Sequence, residues 1–306
     1  MSYLARRLLH GVVLLAAVSL LGFVLLSLAP GDFFDESRLD PAARPETAAA
    51  LRARYGLSEP FALRYWHWLH SAVRGDFGAS IAYQMPVRTL VAPRCGNTLL
   101  LALASLAMAW ALALPLGVWS AGGRGRWLDR ACSLAGTSLL SLPDILLAAL
   151  LLLLAARTGW LPVGGSGGAV HLVLPVVCLA AGLFPVLFRH VRAAVLEASS
   201  APFVRAARGL GIPPQRLLFF HILPAAANPV ISLFGLSLAG LFSSSLLAEV
   251  IFGWPGLGPL FLEAIAARDT YVILAIVLLS AAMLAVANLL ADLLLFAADP
   301  RIRRNP

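Results

Sequence analysis

Six apolar runs, at about 8–29, 98–119, 131–156, 170–188, 225–248 and 271–297, are each long enough to cross a hydrocarbon core of roughly 30 Å as a helix. That core offers no water to bond backbone amides, so only helices or closed barrels can span it. Continuous Leu, Ala and Val content favours helices, because a barrel strand alternates polar and apolar residues over about ten positions. The expected fold is therefore all-α, a polytopic membrane protein with six transmembrane helices. Composition excludes the soluble alternative: of 306 residues 60% are apolar and 12% charged, too few charges to coat a water-exposed surface of this size. The first run has the basic start and small residues of a signal peptide, but its length of about 22 residues exceeds the roughly 7–15 of a signal core. It reads as the first span.

Arginine placement orients these spans, since cytoplasmic loops close to them are enriched in positive charge. Arg6 and Arg7 precede the first run; Arg124, Arg126 and Arg130 separate the second from the third. Arg189, Arg192, Arg205, Arg208 and Arg216 separate the fourth from the fifth, and Arg301, Arg303 and Arg304 follow the sixth. All four sets fall on one side of a six-span arrangement, which places both termini in the cytoplasm. The net charge of +8 is thus a topology signal and calls for no nucleic acid.

The runs divide the chain into the N-terminus and first span (1–30), a polar stretch (31–94), a five-helix membrane core (95–297) and a short cytoplasmic tail (298–306). The polar stretch mixes acids from Asp32 to Asp76 with arginines and prolines, and is expected to form a small extracytoplasmic helical subdomain. Within it Pro45–Tyr55 has helical composition with Gly56 as a stop. Tyr65, Trp66 and Trp68 suit either the headgroup layer or structural packing.

Little points to chemistry. All 23 basic residues are arginine, so the chain lacks the lysine that a phosphate-binding P-loop requires. GWPGLG at Gly253–Gly258 is a turn, and no nucleophile and base stand together. Cys95, Cys132 and Cys178 are widely separated and suggest neither a disulfide nor a metal set. The histidines show no ligand spacing, so neither metal nor other cofactor is expected. Two features inside the apolar runs invite function. Asp144 follows Pro143 within the third run, where an ionisable group is costly unless it faces protein or water. It either lines a pathway or starts a helix as its cap. In the fifth run Gly235, Ala239 and Ser243 repeat at four-residue spacing, as do Gly240 and Ser244 one position on. Such a small-residue face serves a pathway wall, a contact with a partner, or packing within one chain.

The stretch 189–224 is Arg-rich and weakly apolar, and reads FVRAARGLGI followed by HILP. Arg205, Ala206, Ala207, Gly211, His221, Leu223 and Pro224 fall at the spacings of the EAA loop. The chain here resembles importer-type ABC permeases, in which that loop reads EAA, three residues, Gly, nine residues, then I-x-L-P. Arg205 replaces the glutamate and His221 the isoleucine, in the manner of the dipeptide, oligopeptide and nickel branch. The resemblance extends over nearly the whole chain: YGLSEPFALRYWHWL at 55–69, GDFGAS at 75–80, FGWPGLG at 252–258, ARD at 267–269 and NLLADLLLFAADPRIR from Asn288 to Arg303.

That resemblance implies a non-catalytic six-span subunit of the inner membrane. It also implies a second homologous permease subunit, two cytoplasmic ABC ATPase subunits and an extracytoplasmic solute-binding protein as partners, besides the surrounding membrane lipid. Cargo is expected to be peptides or related small solutes. The coupling residues it implies are Glu197, Arg205, Ala206, Ala207, Arg208, Gly211, Arg216, His221, Leu223 and Pro224. The loop's own composition agrees. A short helix over about 200–210, a break at Gly211–Pro214 and a second short helix from Gln215 make a rigid bent knob able to pass a push into the spans. An alternative from another class, a self-contained secondary transporter or channel, would show an inverted repeat and paired intramembrane charges.

Overall fold

The computed structural model describes residues 3–28, 60–122, 127–165 and 167–298. The expected helix Pro45–Tyr55, most of the polar stretch, Arg124, Arg126 and the tail after Ala298 lie outside the described residues. In chain order the helices are α1 (Tyr3–Leu28), α2 (Phe61–Val73), α3 (Val87–Gly122), α4 (Trp127–Ser141), α5 (Asp144–Thr158) and α6 (Ala169–Ser200). There follow α7 (Pro202–Gly209), α8 (Pro214–Leu217), a π-turn (Leu218–Ile222), α9 (Leu223–Phe252), α10 (Leu257–Ala266) and α11 (Thr270–Ala298).

Five helical stretches are long and apolar enough to cross a membrane, and α4 with α5 is a bent pair that makes a sixth if counted as one span. That pair corrects the expectation of a continuous third span over 131–156. The pair is bent by 105° at the break. Pro143 is the cause: it donates no amide and its ring collides with the carbonyl one turn back. Each half has 15 residues, about 22 Å of helix, and so falls short of a bilayer by itself.

Two other helices outrun their apolar runs. α6 has 32 residues, about 48 Å, and continues through Arg189, Arg192 and Glu197 to Ser200. α3 has 36 and starts at Val87, so it runs through residues 94 and 95, where the sequence suggests a boundary. A helix that leaves hydrocarbon still satisfies its own backbone in water, so the apolar pattern reports the membrane and not the helix.

The helices form two compact units, which α3 and α11 each enter. In the first, comprising residues 99–254 with the chain ends, α6 is central: α9, α4 and α5 all pack on it, and α9 also meets α5. Its buried side chains include Leu101 and Leu106 of α3 and Leu187, Phe188 and Val191 of α6. Close approach rests on glycine. A Cβ added at Gly117 of α3 would stand 2.8 Å from Val191 Cγ1, and one at Gly235 of α9 would stand 2.0 Å from Ala291 Cβ of α11. In the second unit α2 lies on α1. Phe23 takes Phe61 and Tyr65 edge-on, both at 5.4 Å, and the guanidinium of Arg64 over its face at 5.1 Å. The Tyr65 and Ser19 hydroxyls are 2.9 Å apart. Tyr65 and Trp68 therefore serve packing, whereas Trp66 is exposed.

Gly235→Ala is expected to lower thermal stability in detergent, by about 1–3 kcal/mol, because Ala291 must move to admit the methyl group. Gly240→Ala meets nothing within 4 Å and is expected to leave the unfolding midpoint unchanged or slightly raised. Intrinsic-fluorescence melting of the two variants checks this.

Candidate functional site

The stretch 197–224 folds as the bent knob its composition predicts. α7 begins at Pro202, where a missing amide costs nothing, and ends in a Schellman arrangement. Gly211 adopts φ +77°, its amide reaches Arg208 O at 3.1 Å, and Ile212 N reaches Ala207 O at 3.4 Å. Only glycine takes this backbone without strain. Pro213 and Pro214 then redirect the chain into α8, and the π-turn falls just before Pro224, which has no amide to offer the carbonyl of Phe220.

α7 buries Val204 and Ala207 and turns Arg205, Ala206 and Arg208 outward. Glu197, Gly211, Arg216 and Pro224 are also exposed, and His221 and Leu223 are half-buried beneath the knob. Of the alanine pair, then, only Ala206 is exposed; Ala207 is buried within the knob. Four apolar side chains of this stretch, which sequence reasoning does not single out, are exposed as well. Phe203, Leu210, Phe219 and Phe220 are all exposed, Leu210 to 82%. The FF pair within an Arg-rich loop was the available signal.

Behind the knob sits a charge cluster that sequence reasoning also missed. Arg192 grips Asp129 with both ends of its guanidinium, Nε to Oδ1 at 2.7 Å and Nη2 to Oδ2 at 2.9 Å. Ser120 Oγ donates to the same carboxylate at 2.5 Å. Asp129 is 7% exposed, so α3, α4 and α6 are tied by a partly buried, geometrically specific pair. Arg192, read in the sequence as a topology marker, is engaged in this pair.

In the membrane core, Asp144 is the first residue of α5, directly after Pro143, and makes no capping hydrogen bond to the helix amides. Its carboxylate also lines a cavity of about 190 Å³ with Cys178 and Gly182 of α6 and Gly240 and Ser244 of α9. Gly235, one of the small residues considered for a pathway, lies close against Ala291 of α11. Ser243 is exposed on α9, with Ala239 one turn before it. Glu249, at the edge of the fifth apolar run, is fully buried near the end of α9.

In the other unit, GDFGAS and ARD prove to be partners. Asp269, fully buried, accepts Ser80 Oγ at 2.6 Å, Ala82 N at 3.0 Å and Val272 N at 3.4 Å. Tyr83 donates to Glu263 at 2.5 Å, and Arg94 stands 4.0 Å from the same carboxylate. Gly78, at φ +90°, leaves room for the Tyr271 ring, 3.4 Å from where its Cβ would be. The loop before α3 is thereby fastened to the α10–α11 corner. The Glu263 bond, with burial and the negative charge of Glu263, raises the Tyr83 phenol above its ordinary value.

Comparison with known proteins gives a consistent picture. Residues 113–304 match the family described as binding-protein-dependent transport system inner membrane component, and residues 1–100 match its N-terminal region. The oligopeptide transport system permease protein AppB of Bacillus subtilis is 35% identical over 313 aligned residues, covering 98% of this chain and 99% of AppB. The glutathione transport system permease protein GsiC of Escherichia coli K12 is 33% identical, covering 99% of each. Among solved structures, an inward-facing form of the MetNI methionine ABC transporter aligns with a TM-score of 0.56 at 21% identity, over 69% of this chain and 96% of that one. It shows that the fold is shared.

Asp269→Ala strands buried donors at Ser80, Ala82 and Val272, each costing on the order of 1–3 kcal/mol. The expected result is a large drop in melting temperature, with Asp269→Asn milder because it keeps an acceptor oxygen. Tyr83 is protonated when it donates, so its contribution is present below the ordinary tyrosine range and lost as pH rises through the raised folded value. Ultraviolet titration should show one late-ionising tyrosine that Tyr83→Phe removes.

Proposed function

The chain belongs to the family of binding-protein-dependent transport system inner membrane components, multi-pass permease subunits, and on that premise we propose that it forms half of the pathway of an ATP-driven importer for peptides or related small solutes. Both curated relatives are named for peptide cargo, oligopeptides in one and the tripeptide glutathione in the other. In this reading a second, non-identical homologous permease supplies the other half. Two cytoplasmic ABC ATPases drive the cycle, and an extracytoplasmic binding protein delivers cargo. Arginine enrichment beside the spans supports cytoplasmic termini and a cytoplasmic knob.

The observation that carries the coupling role is how the knob is mounted. α6 enters it and α9 leaves it, each a helix of 30 or more residues, with only short turns between. A displacement of the knob therefore passes into both spans as a rigid-body movement. The Arg192–Asp129–Ser120 cluster conveys it to α4 and α3. Glu197, Arg205, Arg208 and Arg216 at the rim set the docking orientation of the ATPase, and Phe203 and Leu210 supply apolar contact. Asp144 and Ser243 line the pathway half that this subunit contributes. The corner built on Asp269 faces outward, as a firm frame toward the binding protein.

Co-purification tests the assignment. Wild type is expected to bring down a second permease and an ATPase. The double variant Gly211→Pro, Arg208→Glu breaks the left-handed turn and reverses a rim charge; it should keep the permease and lose roughly tenfold or more of the ATPase. Equal ATPase recovery with both proteins would place coupling elsewhere.

A further inference from the structure

From the cavity at the α4–α5 break we infer a recognition site for a protonated amine on a short apolar stem, carried by the cargo. This rests on the pathway reading of Asp144 above. Three observations converge on it. First, Asp144 lies near the middle of the apolar run 131–156, where a carboxylate is costly without a partner, and among the described residues no hydrogen bond or ion pair reaches it. It stands in the first turn of the 15-residue α5, where free amides concentrate positive potential.

Second, the polar side chains beside it present lone pairs. Ser244 spends its proton on its own helix, reaching Gly240 O at 3.2 Å and Leu241 O at 3.3 Å, so its oxygen faces outward as an acceptor. Carboxylate and hydroxyl oxygen together select a donor with positive charge. Glycine keeps the approach open: a Cβ at Gly182 would already stand 3.5 Å from Asp144 Oδ1, and at Gly240 nothing lies within 4 Å.

Third, the remaining walls are apolar, including Ile145, Leu179, Leu241 and Leu247, around about 190 Å³ of space. A bare alkali or divalent cation wants many oxygen ligands at close range, which this lining does not supply. An ammonium head on a few carbons uses both the acceptors and the walls. The geometry thus points to the amino end of a cargo molecule, held in passage by Asp144 with Ser244 beside it.

The test uses the whole importer in lipid vesicles, with Leu247→Cys as a reporter thiol in the cavity wall and Cys95, Cys132 and Cys178 replaced by alanine. Butylammonium is expected to slow alkylation of the reporter several-fold, whereas butanol and potassium at equal concentration do not. Asp144→Asn should abolish that protection while leaving alkylation without amine, and co-purification with the partners, unchanged. No protection by butylammonium, or equal protection by potassium, overturns the inference. A second arm compares uptake of tri-alanine with N-acetyl-tri-alanine; with one binding protein throughout, its own preference cancels. A lower free-amine to acetylated ratio in Asp144→Asn than in wild type supports cargo recognition, and an unchanged ratio overturns it. If wild type carries neither peptide yet butylammonium protects, the peptide cargo fails and the amine site stands.

Discussion

Lipid gives helices no hydrophobic reason to adhere, because acyl chains are as apolar as leucine. Packing in a membrane then depends on how closely two backbones can approach. This chain meets that constraint with glycine at the crossings. Gly117 lies against Val191, Gly136 against Pro185 and Gly235 against Ala291 in one unit, and Gly22 lies against Leu274 in the other. Every other feature is hung on these contacts. α6 can serve as the centre of its unit because α3 reaches it through Gly117 and α4 through Gly136, each without a side chain to hold them off.

Polar residues add what close packing lacks, which is direction. Asp129 is held by Arg192 and Ser120, and Asp269 by Ser80, Ala82 and Val272. A bidentate arginine or a three-donor carboxylate tolerates little rotation, so each fixes the relative register of the elements it joins. One cluster stiffens the base of the knob; the other locks the loop before α3 onto the α10–α11 corner. The break at Pro143 is the counterpart. There the backbone gives up continuity within an apolar run, and a carboxylate opens onto a cavity among α5, α6 and α9.

Much of this is legible in the sequence. The apolar runs fix an all-α membrane fold because a segment in hydrocarbon must bond its own backbone, and no tertiary context relaxes that. The spacing from Arg205 to Pro224, with Gly211 and two prolines at the bend, dictates the knob, because left-handed glycine and amide-less proline act locally. Tertiary structure decided what depends on residues far apart in sequence. That Asp269 belongs to Ser80 and Asp129 to Arg192, that Ala207 turns inward while Ala206 faces out, and that Gly235 lies close against Ala291 while Gly240 stays open beside Asp144 are all consequences of packing. Hydropathy and spacing report a residue's own chemistry and that of its neighbours along the helix. A partner 189 or 63 positions distant is chosen only when the helices meet.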